Sequence, residues 1–242
     1  MITRLVEIFD IRLHDFDYPD LLDIVYAVIN GASKKCIAYV STNQANLACS
    51  DISFKAELDS FDYLHADGTG IYIASKILSG KKGLSKRISG SDFYPILALH
   101  AEKCGWKIFI LGDDDHTLNK IRLMNKSLNI CGMRNGFNDL DASVVQSINK
   151  SKADILIVGL GSPLQEKWIA SNKNKLETNL IIAVGDGTKV FAGTKIRGPK
   201  IARTIGMEWL IRLCSDPRNM WRRYLIGIPL FIFRVLKKKI KV

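Results

Sequence analysis

Six stretches of the chain carry side chains able to do chemistry, and four of them begin where a short apolar run ends. In His65-Ala66-Asp67-Gly68-Thr69-Gly70 a carboxylate follows such a run. Gly68 and Gly70 let backbone approach a ligand, so Asp67 is a candidate general base. An Asp capping a helix that starts at Gly70 fits the same residues. His65 points to the other side of a strand and reads as structural. In Lys86-Arg87-Ile88-Ser89-Gly90-Ser91-Asp92, Arg87 can clamp a phosphate bidentately while Ser89 to Ser91 offer hydroxyls and N–H groups at a helix start. A solvated Arg before a capped helix is the plainer alternative, and the spacing is not that of a P-loop.

Ser41-Thr42-Asn43-Gln44-Ala45-Asn46 offers hydroxyls and amides for a sugar, or a helix cap. Gly112-Asp113-Asp114-Asp115-His116 suggests a divalent cation held against a nucleotide diphosphate, but acidic residues opening a helix are favoured by its dipole and need no metal. The expectation is therefore no metal. Gly159-Leu160-Gly161-Ser162-Pro163-Leu164-Gln165-Glu166-Lys167-Trp168 lets Gln165 and Glu166 reach back over a cleft from a first helical turn. As a dinucleotide fingerprint it lacks the third Gly and the later acid.

The sixth stretch is the tail. Residues 197–242 hold 12 Lys and Arg against 2 Asp and Glu, whereas residues 1–196 hold 23 against 22, so nearly all of the +11 net charge lies past residue 196. Trp209, Arg212, Arg218, Trp221, Arg222, Arg223 and Tyr224 precede an apolar stretch, followed by Arg234, Lys237, Lys238, Lys239 and Lys241. This mixture fits an amphipathic segment on an anionic membrane surface. Nucleic acid is the rival partner, but Leu225 to Phe233 has no use on a phosphate backbone; a helix buried at a homo-oligomer interface is the other alternative.

These residues need a scaffold. β-Branched runs at Cys36–Val40, Tyr63–Ala66, Lys107–Leu111, Ile155–Val158 and Leu180–Val184 read as buried parallel strands. Helical spacing fills Tyr18–Asn30, Ala45–Phe54, Gly70–Leu78, Asp92–Cys104, Thr117–Asn129, Ala142–Ser151 and Gln165–Lys175. The alternation predicts a Rossmann-like α/β domain with a mainly parallel sheet over residues 1–196, ligands at the strands' carboxyl ends, and a basic helical appendage over 197–242. Ser79 to Ser89 reads as a flexible basic loop. Asp67-Gly68-Thr69 and Asp186-Gly187-Thr188 are alike, a likeness that chance explains.

With 242 residues, 47% of them apolar, the chain can bury a core, which excludes disorder and collagen. Five cysteines without a Cys-x-x-Cys pair argue against a disulfide framework or a structural zinc site and favour a reducing compartment. Met1 to Arg12 has no apolar core of signal-peptide length, and Tyr224–Phe233, interrupted by Pro229, is about half of the roughly 20 residues that cross a bilayer. The expectation is a cytoplasmic protein, peripheral on the membrane's inner face.

Taken together, Asp67-Gly68, Arg87 to Asp92, Gly161 to Trp168 and Gly206-Met207-Glu208-Trp209-Leu210-Ile211-Arg212-Leu213 resemble the WecG/TagA/CpsF glycosyltransferases, family 26, over roughly Cys36 to Tyr224. The resemblance implies an inverting, metal-independent hexosyltransferase without cofactors. It implies a UDP-sugar donor, often N-acetylmannosamine or its uronic acid, and a polyprenyl-diphosphate-linked sugar acceptor, in cell-surface polysaccharide synthesis. It assigns Asp67 as catalytic base and places Arg87 by the diphosphate. Ser41, Thr42, Asn43 and Gln165 are to line the sugar pocket, and Arg212, Arg218, Arg222 and Arg223 are to close the site at the membrane. Leu164 stands where the family commonly has Lys or Arg. Thr188-Lys189 replaces an aromatic-Asp pair, which leaves a related hexose open as donor.

Overall fold

The computed structural model describes residues 4–31, 33–138, 140–199 and 206–240. Eight strands form one sheet: β1 (Leu5–Ile8), β2 (Ile11–His14), β3 (Lys35–Val40), β4 (Tyr63–Ala66), β5 (Ile108–Gly112), β6 (Ile130–Arg134), β7 (Ile155–Gly159) and β8 (Leu180–Ala183), in the order β1-β2-β4-β3-β8-β7-β5-β6. All pairs are parallel except the β1–β2 hairpin. The architecture is the expected layered α/β one. After β4 the chain crosses to the far half of the sheet, lays down β5, β6 and β7, and returns to β8 beside β3, so the carboxyl ends of β4, β3, β8 and β7 form one continuous row.

The helices between these strands are α1 (Tyr18–Ile29), α2 (Thr42–Ser50), α3 (Ile52–Asp59), α4 (Thr69–Ser79), α5 (Gly90–Cys104), α6 (Asp115–Met124), α7 (Ala142–Ser151), α8 (Leu164–Asn172) and the short α9 (Thr188–Phe191). They cover both faces of the sheet, and each face buries its own apolar cluster. The helix expected over Ala45–Phe54 is two helices. Asp51 takes an extended conformation between them and caps α3 by accepting the Phe54 N–H. The Ser79–Ser89 segment is anchored rather than loose: Arg4 donates to the Lys82 and Gly83 carbonyls, Asp15 accepts from Ser85, and Lys86 pairs with Asp17.

Beyond residue 206 the chain forms α10 (Glu208–Ser215), α11 (Pro217–Trp221), a π-helical turn at Arg222–Ile226, and α12 (Gly227–Ile240). Pro229, which has no N–H to give, lies in the first turn of α12, just after the widened turn. α12 packs on α2 and α4 and adds Phe231 and Val235 to one of the two cores. Asn46 of α2 fixes it by donating to the Gly227 carbonyl (2.7 Å) and accepting from Arg234 through Oδ1 (3.0 Å). The hairpin turn holds it too, because Phe9 packs edge-on against Phe231 and Asp10 pairs with Lys238. Lys241 lies outside the described residues. Among those described, no helix is long and apolar enough to cross a membrane.

Candidate active site

Asp67 leaves β4 at its carboxyl end, and its backbone N–H is held by the Val40 carbonyl of neighbouring β3 (2.9 Å). It does not cap α4, whose capping position is Gly68 at φ 86° with no side-chain bond. Instead Asp67 Oδ1 accepts the N–H of Gly90, the first residue of α5 (2.9 Å). Ser89, the capping residue of α5, makes no side-chain cap, so Asp67 serves that helix from across the site. The same helix start brings in Arg87, which donates to Thr69 Oγ1 (3.3 Å), two residues from Asp67. Ser41 caps α2 in a reciprocal box with Gln44, and Ser41 and Thr42 also face the opening. Capping and lining are both true of Ser41.

A cleft of about 400 Å³ joins these groups to the carboxyl-terminal segment. At one end Ser41, Thr42, Asp67, Arg87 and Ser89 face Glu208, Arg212 and Arg223. At the other end the wall is Ile73 and Ile77 of α4 opposite Ile228, Phe231, Ile232 and Leu236. Trp209 of α10 and Tyr224 of the π turn also line the cleft, with ring centroids 6.1 Å apart. The guanidinium of Arg223 sits over the Tyr224 ring at 5.8 Å. Arg197 ties the start of the appendage to α5 by donating to the Ser91 carbonyl (3.1 Å) and pairing with Asp92.

Of the residues singled out in the sequence, Ser41, Thr42, Asp67, Arg87, Arg212 and Arg223 thus meet in one cleft. Asn43, Gln165, Arg218 and Arg222 are not on its wall. Gln165 is fully buried; its Oε1 accepts the Gly185 N–H (2.8 Å) and its Nε2 donates to Glu166 (2.9 Å), so it shapes the loop after β8 from beneath. Burial pushes the Glu166 carboxyl above its ordinary range. Arg222 stacks on Trp221 at 5.3 Å, and Arg218 is exposed on α11.

The three acidic residues after β5 have protein partners. Asp113 accepts from Thr188 (2.8 Å), Asp114 caps α6 through the Thr117 N–H (2.7 Å), and Asp115 accepts from Asn135 (2.9 Å). Sequence reading missed Lys195 beside the cleft, set Asp186 aside as a chance likeness to Asp67, and named Glu208 only inside a motif. Asp186 accepts from Lys195 (2.9 Å) and from Arg212 (3.2 Å), and Arg212 also donates to Glu208 (2.8 Å). Burial raises the Asp186 carboxyl, but Lys195, Arg212 and Arg223 outweigh it and hold it below the usual range.

The family model for WecG/TagA/CpsF glycosyl transferases matches residues 6–242. The chain belongs to that family. It is also 33% identical to an N-acetylglucosaminyldiphosphoundecaprenol N-acetyl-beta-D-mannosaminyltransferase of Staphylococcus aureus strain MW2, over 96% of this chain and 94% of the relative. The enzyme of that name from strain NCTC 8325 matches to the same extent. This WecG/TagA/CpsF glycosyltransferase therefore matches the family from residue 6 through the tail. The positions expected to depart from the family's pattern lie off the cleft wall: Leu164 is exposed at the first position of α8, Thr188 is buried, and Lys189 is exposed on α9, within electrostatic reach of Asp114.

Proposed function

We propose that this glycosyltransferase moves a sugar, N-acetylmannosamine or a related hexose, from UDP onto a sugar carried by a polyprenyl diphosphate, with inversion at the anomeric carbon. The observation that carries the reading is the cleft itself, charged at one end and apolar at the other. An amphiphilic acceptor fits that polarity: its diphosphate meets the arginines, its sugar meets Asp67, and its first isoprene units lie between α4 and α12. The names of the staphylococcal relatives describe such an acceptor.

In the reaction the acceptor hydroxyl oxygen forms a bond to C1 of the donor sugar while the bond from C1 to the UDP oxygen breaks. The hydroxyl proton passes to Asp67, and UDP leaves with the bonding electron pair. With Oδ1 fixed by the Gly90 N–H, Oδ2 is the oxygen that takes the proton. A diphosphate is a weak base, so no second carboxylate is needed to protonate it. Arg87, Arg212 and Arg223 supply the charge that stabilises it. Asp113 to Asp115 serve their own protein partners, and this mechanism runs through the arginines without a divalent cation.

Leu225, Ile226, Leu230, Ile232, Phe233, Leu236 and Ile240 are exposed on the π turn and α12, Ile73 and Ile77 are exposed on α4, and Lys237 and Lys239 stand beside them. This surface docks on an anionic membrane at the mouth of the apolar end. The test is an assay of the purified chain with a panel of UDP-sugars and a short-chain prenyl-diphosphate-linked N-acetylglucosamine, with and without EDTA. Transfer unaffected by EDTA, giving a product of inverted configuration, is expected. No transfer from any UDP-sugar would remove the reading.

A further inference from the structure

The loop after β8, Val184-Gly185-Asp186-Gly187, is constructed around one side chain. Gly185 has φ 55°, and a Cβ there would lie 2.3 Å from the Tyr39 hydroxyl; a Cβ on Gly187 would lie 2.3 Å from the Tyr94 ring. Fully buried Gln165 holds the Gly185 N–H. The loop is thus packed down on half-buried Tyr39 and buried Tyr94 with no room for a neighbouring side chain, and it presents Asp186 at the carboxyl end of the strand next to β3.

Asp186 sits between two bodies of the chain. Lys195 comes from the α/β body, and its side chain is 8% exposed. Arg212 comes from α10, forks between Asp186 and Glu208, and reaches the cleft wall. A nearly enclosed ammonium needs a counter-charge, which Asp186 supplies, and the same carboxylate also holds Arg212.

We propose that Asp186 is a positioning residue, holding Lys195 and Arg212 side by side as a preformed pair that receives a diphosphate. The identity of that diphosphate, from UDP or from the prenyl acceptor, rests on the transferase reading; the positioning does not. The charged groups facing Lys195 are Asp186 from the β8 loop, Arg212 from α10 and Asp67 from the end of β4. Burial lowers its affinity for a proton and Asp186 opposes that, so Lys195 without Asp186 loses its charge at a lower pH.

The test is calorimetry on the full chain, natural and with Asp186→Asn, Arg212→Gln or both, using inorganic pyrophosphate, UDP and a short-chain prenyl diphosphate as probes. A carboxylate that merely repelled anions would tighten binding when neutralised. Positioning predicts the opposite sign, with Asp186→Asn weakening pyrophosphate at least tenfold, the double variant no weaker than the weaker single one, and binding lost at a lower pH than in the natural chain. Unchanged or tighter pyrophosphate binding, or losses that simply multiply in the double variant, would overturn the proposal. A loss shared by pyrophosphate and only one of UDP and the prenyl diphosphate supports it and says which substrate the pair receives. Should Asp186→Asn fail to fold, Arg212→Lys carries the same test: it keeps the charge but cannot fork between Asp186 and Glu208, so it must also bind more weakly. Absence of sugar transfer would sink the transferase reading while leaving the pyrophosphate result standing, and tighter binding in Asp186→Asn would do the reverse.

Discussion

In the proposed reaction a single carboxylate has two tasks, and the two separate on substitution. Asn at position 67 keeps an oxygen for the Gly90 N–H and so keeps the start of α5, but it cannot take a proton. Asp67→Asn should melt within a few degrees of the natural chain while turnover falls about 100-fold or more. At Gly187 the expectation inverts. Gly187→Ala drives a methyl into the Tyr94 ring and should cost about 1–3 kcal/mol, read as a lower Tm, without removing any reactive group. Asp67 and Arg87 were legible in the sequence because each follows a strand or opens a helix, where chemistry concentrates in α/β folds. Lys195 was not, since no local pattern marks it. Its partner Asp186 lies nine residues before it, and Asp186's second cation, Arg212, is brought within reach only by the folded tail. Gln165 was legible as special, but its place beneath the β8 loop depends on packing that spacing does not encode.

At the level of elements, the five central strands are readable because their runs are buried on both faces, while the strands missed each lack that signal. β1 and β2 alternate inward and outward residues, and their connection is Phe9-Asp10, both at positive φ (52° and 62°), where Gly or Asn would have announced a hairpin. The packing of Phe9 on Phe231 helps hold that strained turn, so hairpin and tail helix support each other. β6 is an edge strand interrupted by Gly132, which leaves room for the Phe109 ring. Phe231→Ala removes one of the large buried contacts of α12 and should cost about 3 kcal/mol, with the loss visible in a thermal melt. Asn46→Ala leaves the Gly227 carbonyl without its donor and removes an Arg234 contact. It should destabilise by roughly 1–3 kcal/mol and raise the KM for a lipid acceptor more than for UDP-sugar.

The molecule as a whole is asymmetric in charge and in polarity, and its cleft lies where the two asymmetries meet. The chain's composition showed the basic tail. It could not show that α4 of the α/β body shares the exposed apolar surface, because Ile73 and Ile77 follow ordinary helical spacing and look like core residues until α12 is placed beside them. Ile232→Glu combined with Leu236→Glu should release the protein from anionic vesicles while UDP affinity stays the same, as checked by co-sedimentation; retained binding would count against docking through this face. The most direct measurement of the account is turnover of Asp67→Asn against the natural chain, with UDP-sugar and a short-chain prenyl-diphosphate-linked N-acetylglucosamine, alongside UDP binding by calorimetry. The account predicts a fall in turnover of about 100-fold or more with UDP affinity kept within a few-fold. Turnover within a few-fold of the natural chain would contradict it.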